Sequence, residues 1–181
     1  MNIKLNSNFY FIVVITFMLV IDKSYYCILS ILFALLHELG HILIILLKNL
    51  RVSKIKFGII NIDMIYDNSS FLNINYKDEF LIYISGPFVN FVLYLMFIFV
   101  YCVNNIYIFK IMAYQNFFLG IINLLPIESL DGYKILSLVL SRKFDINTCE
   151  KILNIISIIF LVPVSILGFM ILIKSKYNFS L

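Results

Sequence analysis

The stretch Leu36–His37–Glu38–Leu39–Gly40–His41 lies in the middle of an apolar run over residues 27–47, and its reading decides the fold. At about 1.5 Å per residue, a helix over that run crosses a bilayer. Residues four apart on a helix lie about 40° apart around its axis, so His37 and His41 present both imidazoles to one side and can chelate one metal ion. Glu38 points close to the same side. An ionisable group at mid-span costs about 2.5–3.5 kcal/mol even on lenient insertion scales, so packing does not account for it. The chain has two histidines in all, and both fall in this pattern. Imidazole suits zinc, and this spacing favours a catalytic site, because two histidines and one further ligand leave a tetrahedral ion with a position open to water. The plainer alternative, a polar patch that hydrogen-bonds between helices, fits poorly with the unbroken apolar surroundings.

The whole chain has the composition that such a helix requires. Of 181 residues, 62% are apolar, 17% aromatic and 13% charged, against roughly half apolar and a quarter charged in an ordinary globular domain. The excess calls for lipid as solvent. Five apolar blocks stand out, at residues 9–21, 27–47, 80–103, 106–125 and 152–173. They predict an all-α polytopic membrane protein with five or six transmembrane helices, the count depending on whether Pro163 kinks the last block or turns it back as a shallow hairpin. Pro126 should end the fourth block. Between the second and third, the β-branched alternation over residues 54–66 predicts a short β-hairpin at the membrane edge. Residues 131–151 read as a mixed, partly helical amphipathic segment.

A length of 181 residues predicts one domain, residues 1–181, with no space for a second soluble module. Lys4 precedes the first block without a small-residue cleavage site, so that helix is expected to stay in the mature protein. Cys27, Cys102 and Cys149 form neither a close pair nor an even set and are expected to be buried apolar fillers. The net charge of +4 is spread through short polar breaks, which fits anchoring at the membrane surface and not nucleic-acid binding. With a cytoplasmic N-terminus, ten of the fourteen basic residues, among them Lys48, Arg51, Lys77, Lys134, Arg142 and Lys151, fall on the inner side. From His41 to Lys48 is about 10 Å of helix, which sets the metal within the bilayer but near the cytoplasm.

A third ligand must come from elsewhere in the chain. Most of the acids lie in polar breaks; Glu128 and Asp131 remain near a helix, in Asn123–Leu124–Leu125–Pro126–Ile127–Glu128–Ser129–Leu130–Asp131–Gly132. Pro126 frees backbone groups there and Gly132 permits a close approach, features tolerated in a membrane where they line a wet cavity. The residues themselves favour Asp131 over Glu128 only modestly.

These motifs in this order, with Ser85–Gly86–Pro87 and Asn90 opening the third block, resemble the site-2 protease family of intramembrane zinc metalloproteases. The stretch over residues 122–134 is similar to the sporulation-stage branch, the stage IV sporulation protein FB type. The resemblance covers about residues 9–133. It implies Asp131 as the third ligand of one zinc per chain beside His37 and His41. Glu38 would be the base that takes a proton from water and returns it to the leaving amine. Asn123 and Asn90 would donate hydrogen bonds to the substrate backbone or the developing oxyanion.

The implied activity is cleavage, in a bacterial cell membrane and from the cytoplasmic side, of a membrane-associated regulatory protein such as a sigma-factor precursor in sporulation. Inhibitory membrane proteins are the implied regulators. The nucleotide-sensing domain and sixth helix usual in that branch, and the PDZ domain of many relatives, have no counterpart in these 181 residues. A glycine pair common in the strand segment stands here as Phe57–Gly58–Ile59. Two rivals come from other classes. A divalent-metal transporter would want several weak sites along a path, whereas one tight cluster is present; an inactive membrane scaffold would be expected to lose Glu38 or a ligand first.

Overall fold

The computed structural model describes residues 4–7, 26–49, 52–57, 62–66 and 74–174, the strands among them by backbone alone. Five helices follow one another: α1 (Tyr26–Leu47), α2 (Tyr76–Asn104), α3 (Tyr107–Asn123), α4 (Asp131–Leu140) and α5 (Ile146–Lys174). Strands β1 (Lys4–Ser7), β2 (Val52–Phe57) and β3 (Ile62–Tyr66) pair in that order, β1 parallel to β2 and β2 antiparallel to β3. The first expected span, residues 9–21, lies outside the described residues.

The helices are inside out by the standard of a water-soluble protein. Ile28, Leu32, Leu35, Leu39, Leu43 and Leu46 form an exposed stripe along α1, while Phe33, His37, Gly40, His41 and Ile45 face inward. On α2, Phe88, Val92, Leu95 and Phe99 face out and Ser85, Gly86 and Asn90 face in. Buried polar or charged side chains are as many as buried apolar ones among the described residues, seven of each with Pro87 counted. An apolar exterior of this extent is untenable in water and is what hydrocarbon solvates. Three helical stretches are long and apolar enough to cross a membrane, Ile28–Leu47, Tyr76–Asn104 and Ile146–Met170.

The fourth expected block is shorter than its hydropathy suggests. Helix α3 stops at Asn123, and the chain turns through Leu124 and Leu125 ahead of Pro126, which has no N–H to continue a helix. Its 17 residues span about 25 Å, less than a typical hydrocarbon core of about 30 Å. In the last block, α5 runs unbroken through Pro163, so the shallow hairpin does not form there; proline costs that helix one backbone bond, not its continuity. Cys149 is buried as expected, but Cys102 is exposed on the apolar exterior.

Close backbone approach holds α1 against α2. A Cβ on Gly40 would meet the Ser85 carbonyl oxygen and Val89 Cγ2, each at 2.8 Å, which is how helices cohere where lipid removes the hydrophobic drive between them. At the polar end, Lys48 pairs with Asp78 in the first turn of α2, where a carboxylate also suits the helix dipole. Helices α2 and α3 turn about Asn105, which takes a left-handed φ of 53° and donates its N–H to Tyr101. Asp145 precedes α5 and accepts the Thr148 N–H at 3.3 Å; hydrogen bonds from Thr148 hold its carboxyl below the ordinary carboxylate range.

Gly40→Leu should therefore separate α1 from α2 and destabilise the fold by about 1–3 kcal/mol, the usual cost of overpacking. Leu39→Ala, on the exposed stripe, should change it little. Thermal unfolding of the two variants in the same detergent checks the contrast.

Candidate metal centre

Helical spacing on α1 brings His37 and His41 together, with Nε2 atoms 3.2 Å apart and rings edge to face at 80°. Asp131, the first residue of α4, places Oδ2 3.0 Å from His37 Nε2 and 3.1 Å from His41 Nε2. All three side chains are buried. Among the described residues, this is the group of histidine, cysteine, aspartate and glutamate side chains gathered closely enough to hold an ion. Glu128, the other acid near that turn, is exposed and lies outside the cluster.

The triangle fits zinc. A tetrahedral ion with bonds of about 2.0–2.1 Å keeps its ligand atoms about 3.3–3.4 Å apart, close to the observed edges. The protonation pattern points the same way for one imidazole. His41 Nδ1 lies 2.7 Å from the Ile82 carbonyl oxygen, a group that only accepts, so Nδ1 carries the proton and a neutral His41 directs its Nε2 lone pair at Asp131. Two acceptors facing each other at 3.1 Å need a cation or a proton between them.

Each ligand also has an outer partner. His41 is held by Ile82 and approached by Ser85 Oγ at 3.4 Å. His37 Nδ1 is 3.1 Å from Asn90 Nδ2. The free oxygen of Asp131, Oδ1, is 3.6 Å from Lys134 Nζ, one turn along α4. Such partners fix ring orientation and ligand basicity.

The turn before Asp131 is built for close approach. Ser129 takes a positive φ of 78°, and a Cβ on Gly132 would strike the carbonyl oxygens of Leu124 and Leu125. Only glycine lets α4 begin under that turn. Across from it, the Glu128 N–H donates to Ser157 Oγ of α5 at 2.9 Å, which ties the turn to the last helix.

Glu38 is part-buried on α1, between the two histidines in sequence. Asn123 is part-buried and spends one N–H on its own helix, at the Leu119 oxygen 3.0 Å away. Asn90 is fully buried. The sequence reading gave Gly86, Ile82, Lys134 and Ser157 no individual role. The signal for the first two was present: residues 82, 85, 86 and 90 share one face of a helix and include its small and polar members.

The family model for Peptidase family M50 matches residues 102–164, a stretch that contains Asn123, Pro126 and Asp131 but not the two histidines. The chain is similar to the solved Site-2 Protease from Methanocaldococcus jannaschii, with 26% sequence identity, coverage of 94% of this chain and 82% of that one, and a TM-score of 0.69. No curated protein matches the sequence. The family match is confined to about a third of the chain, while the likeness to the solved protease extends over most of its length.

Gly86 is the floor of the cluster. A Cβ there would press on His41 Nε2 and come within 2.6 Å of His37 Nε2, the atoms that would bind the ion. Gly86→Ala should bring zinc content from about one per chain to near zero while leaving helix content intact, read by elemental analysis beside circular dichroism.

Proposed function

We propose that the chain is an intramembrane zinc metalloprotease that hydrolyses a peptide bond in or near a membrane segment of a regulatory protein. The observation that carries the reading is the buried triangle of His37 Nε2, His41 Nε2 and Asp131 Oδ2 on lipid-exposed helices. His37, His41 and Asp131 would hold the zinc, which when bound supplies Lewis acidity towards water and a peptide carbonyl. Glu38 takes the proton from the attacking water and delivers it to the leaving amine. The second N–H of Asn123, beyond the one given to Leu119, donates to the substrate carbonyl as charge develops there.

A peptide bond in a helical span is shielded by its own hydrogen bonds, so the substrate must unwind before it reaches this site. In this reading the strand segment within residues 54–66, which carries β3 and most of β2, lies at the membrane edge and pairs with the unwound substrate by adding it as a strand. The basic residues in or next to α1 and α4, Lys48, Lys134 and Arg142 among them, support a site open to the cytoplasm. The likeness of residues 122–134 to the sporulation branch supports a membrane-associated sigma-factor precursor as the substrate class.

The test is zinc binding and cleavage of such a precursor by purified protein in lipid. Wild type should hold about one zinc per chain and cleave; Glu38→Gln should keep the zinc and lose activity by about 10²–10⁴-fold. Cleavage by Glu38→Gln at the wild-type rate would overturn the assignment, and zinc flux through vesicles unaffected by that substitution would favour a carrier.

A further inference from the structure

Asn90 has two unusual properties at once. It is 0% exposed, and while its Nδ2 lies 3.1 Å from His37 Nδ1, its Oδ1 has no hydrogen-bond partner among the described residues. A half-turn of the amide exchanges its two ends with almost no change of shape. As placed, Nδ2 faces the ring and Oδ1 accepts nothing among the described residues, so the contact with His37 is what decides the orientation.

With Nδ2 facing His37, Nδ1 must accept, and a neutral imidazole then carries its proton on Nε2, pointing at Asp131 Oδ2 3.0 Å away. That tautomer offers no lone pair to an ion. With Oδ1 facing, Nδ1 keeps the proton and Nε2 directs its lone pair at the same point as His41 Nε2, whose tautomer Ile82 already sets. We infer that Asn90 is a positioning residue for the metal centre, its Oδ1 accepting from His37 Nδ1–H to fix the tautomer that ligates, and that it acts through His37 and not on the substrate. This rests on the zinc reading above. It also reassigns Asn90 from the substrate contact that the sequence suggests, because a fully buried amide engaged with a ligand ring does not meet an incoming peptide.

The substitutions that separate the roles are Asn90→Ala, which removes the acceptor, and Asn90→Asp, which keeps an acceptor and has no donor. Zinc affinity is measured for the full chain in lipid nanodiscs by competition with a chelator, beside the visible spectrum of the cobalt-substituted protein. Asn90→Ala should bind zinc about 10–100-fold more weakly and shift the cobalt bands. Asn90→Asp should bind at least as tightly as wild type, since a carboxylate is the stronger acceptor. A substrate-contact role predicts the reverse, with zinc affinity unmoved in both variants and cleavage lost in both. Affinity of Asn90→Ala within twofold of wild type overturns the proposal. Should Asn90→Ala fail to fold, Asn90→Asp decides alone, and a tenfold weaker affinity in that variant overturns it. Wild-type protein that retains no zinc removes the metal reading itself, and this proposal with it.

Discussion

Two imidazole nitrogens and a carboxylate oxygen meet within 3.2 Å of one another in the interior of a chain whose exterior is largely hydrocarbon. Such a meeting is unfavourable unless a positive charge sits among the three, and in an apolar surround the penalty is larger than it would be in water. The helices must therefore supply two things. They need a rigid frame that holds three polar atoms in register, and a lining polar enough to serve them without letting the lipid face suffer. The inside-out distribution of side chains is the solution, with Ser85, Asn90, Asn116 and Ser157 buried and leucine, isoleucine and phenylalanine turned outward.

The frame is assembled from backbone as much as from side chains. Helix α1 contributes two of the clustered side chains through its pitch, and α2 approaches it closely because Gly40 and Gly86 leave room. Helix α4 begins with the third ligand under the turn that ends α3, where proline stops one helix and glycine admits the next. The outer partners come from different elements, a carbonyl and an amide from α2 and a lysine from α4. Distributing support in this way fixes each ligand independently.

Much of this was legible in the residues. The spacing of His37 and His41 predicted two imidazoles on one face, Pro126 announced the end of α3, and Asp131 was one of two acids at the turn that follows, preferred over Glu128 on resemblance. Legibility failed where a property depends on the partner and not on the local sequence. Nothing near Asn90 says that its amide meets His37, 53 residues away. Pro163 looked like a breaker, but a long apolar helix keeps its course through one missing bond, because no competing solvent offers the freed carbonyl anything better. Hydropathy also overstated α3, since Leu124 and Leu125 are apolar enough to extend a block while belonging to the turn.

The bareness at position 86 carries a further consequence. Where the nearest wall of the cluster is main chain, its contour cannot be retuned by exchanging one side chain for another; any added atom lands on the two imidazoles first. Under the proposed function, discrimination among substrates falls to the segments bordering the cluster, which can vary while its three side chains stay constant.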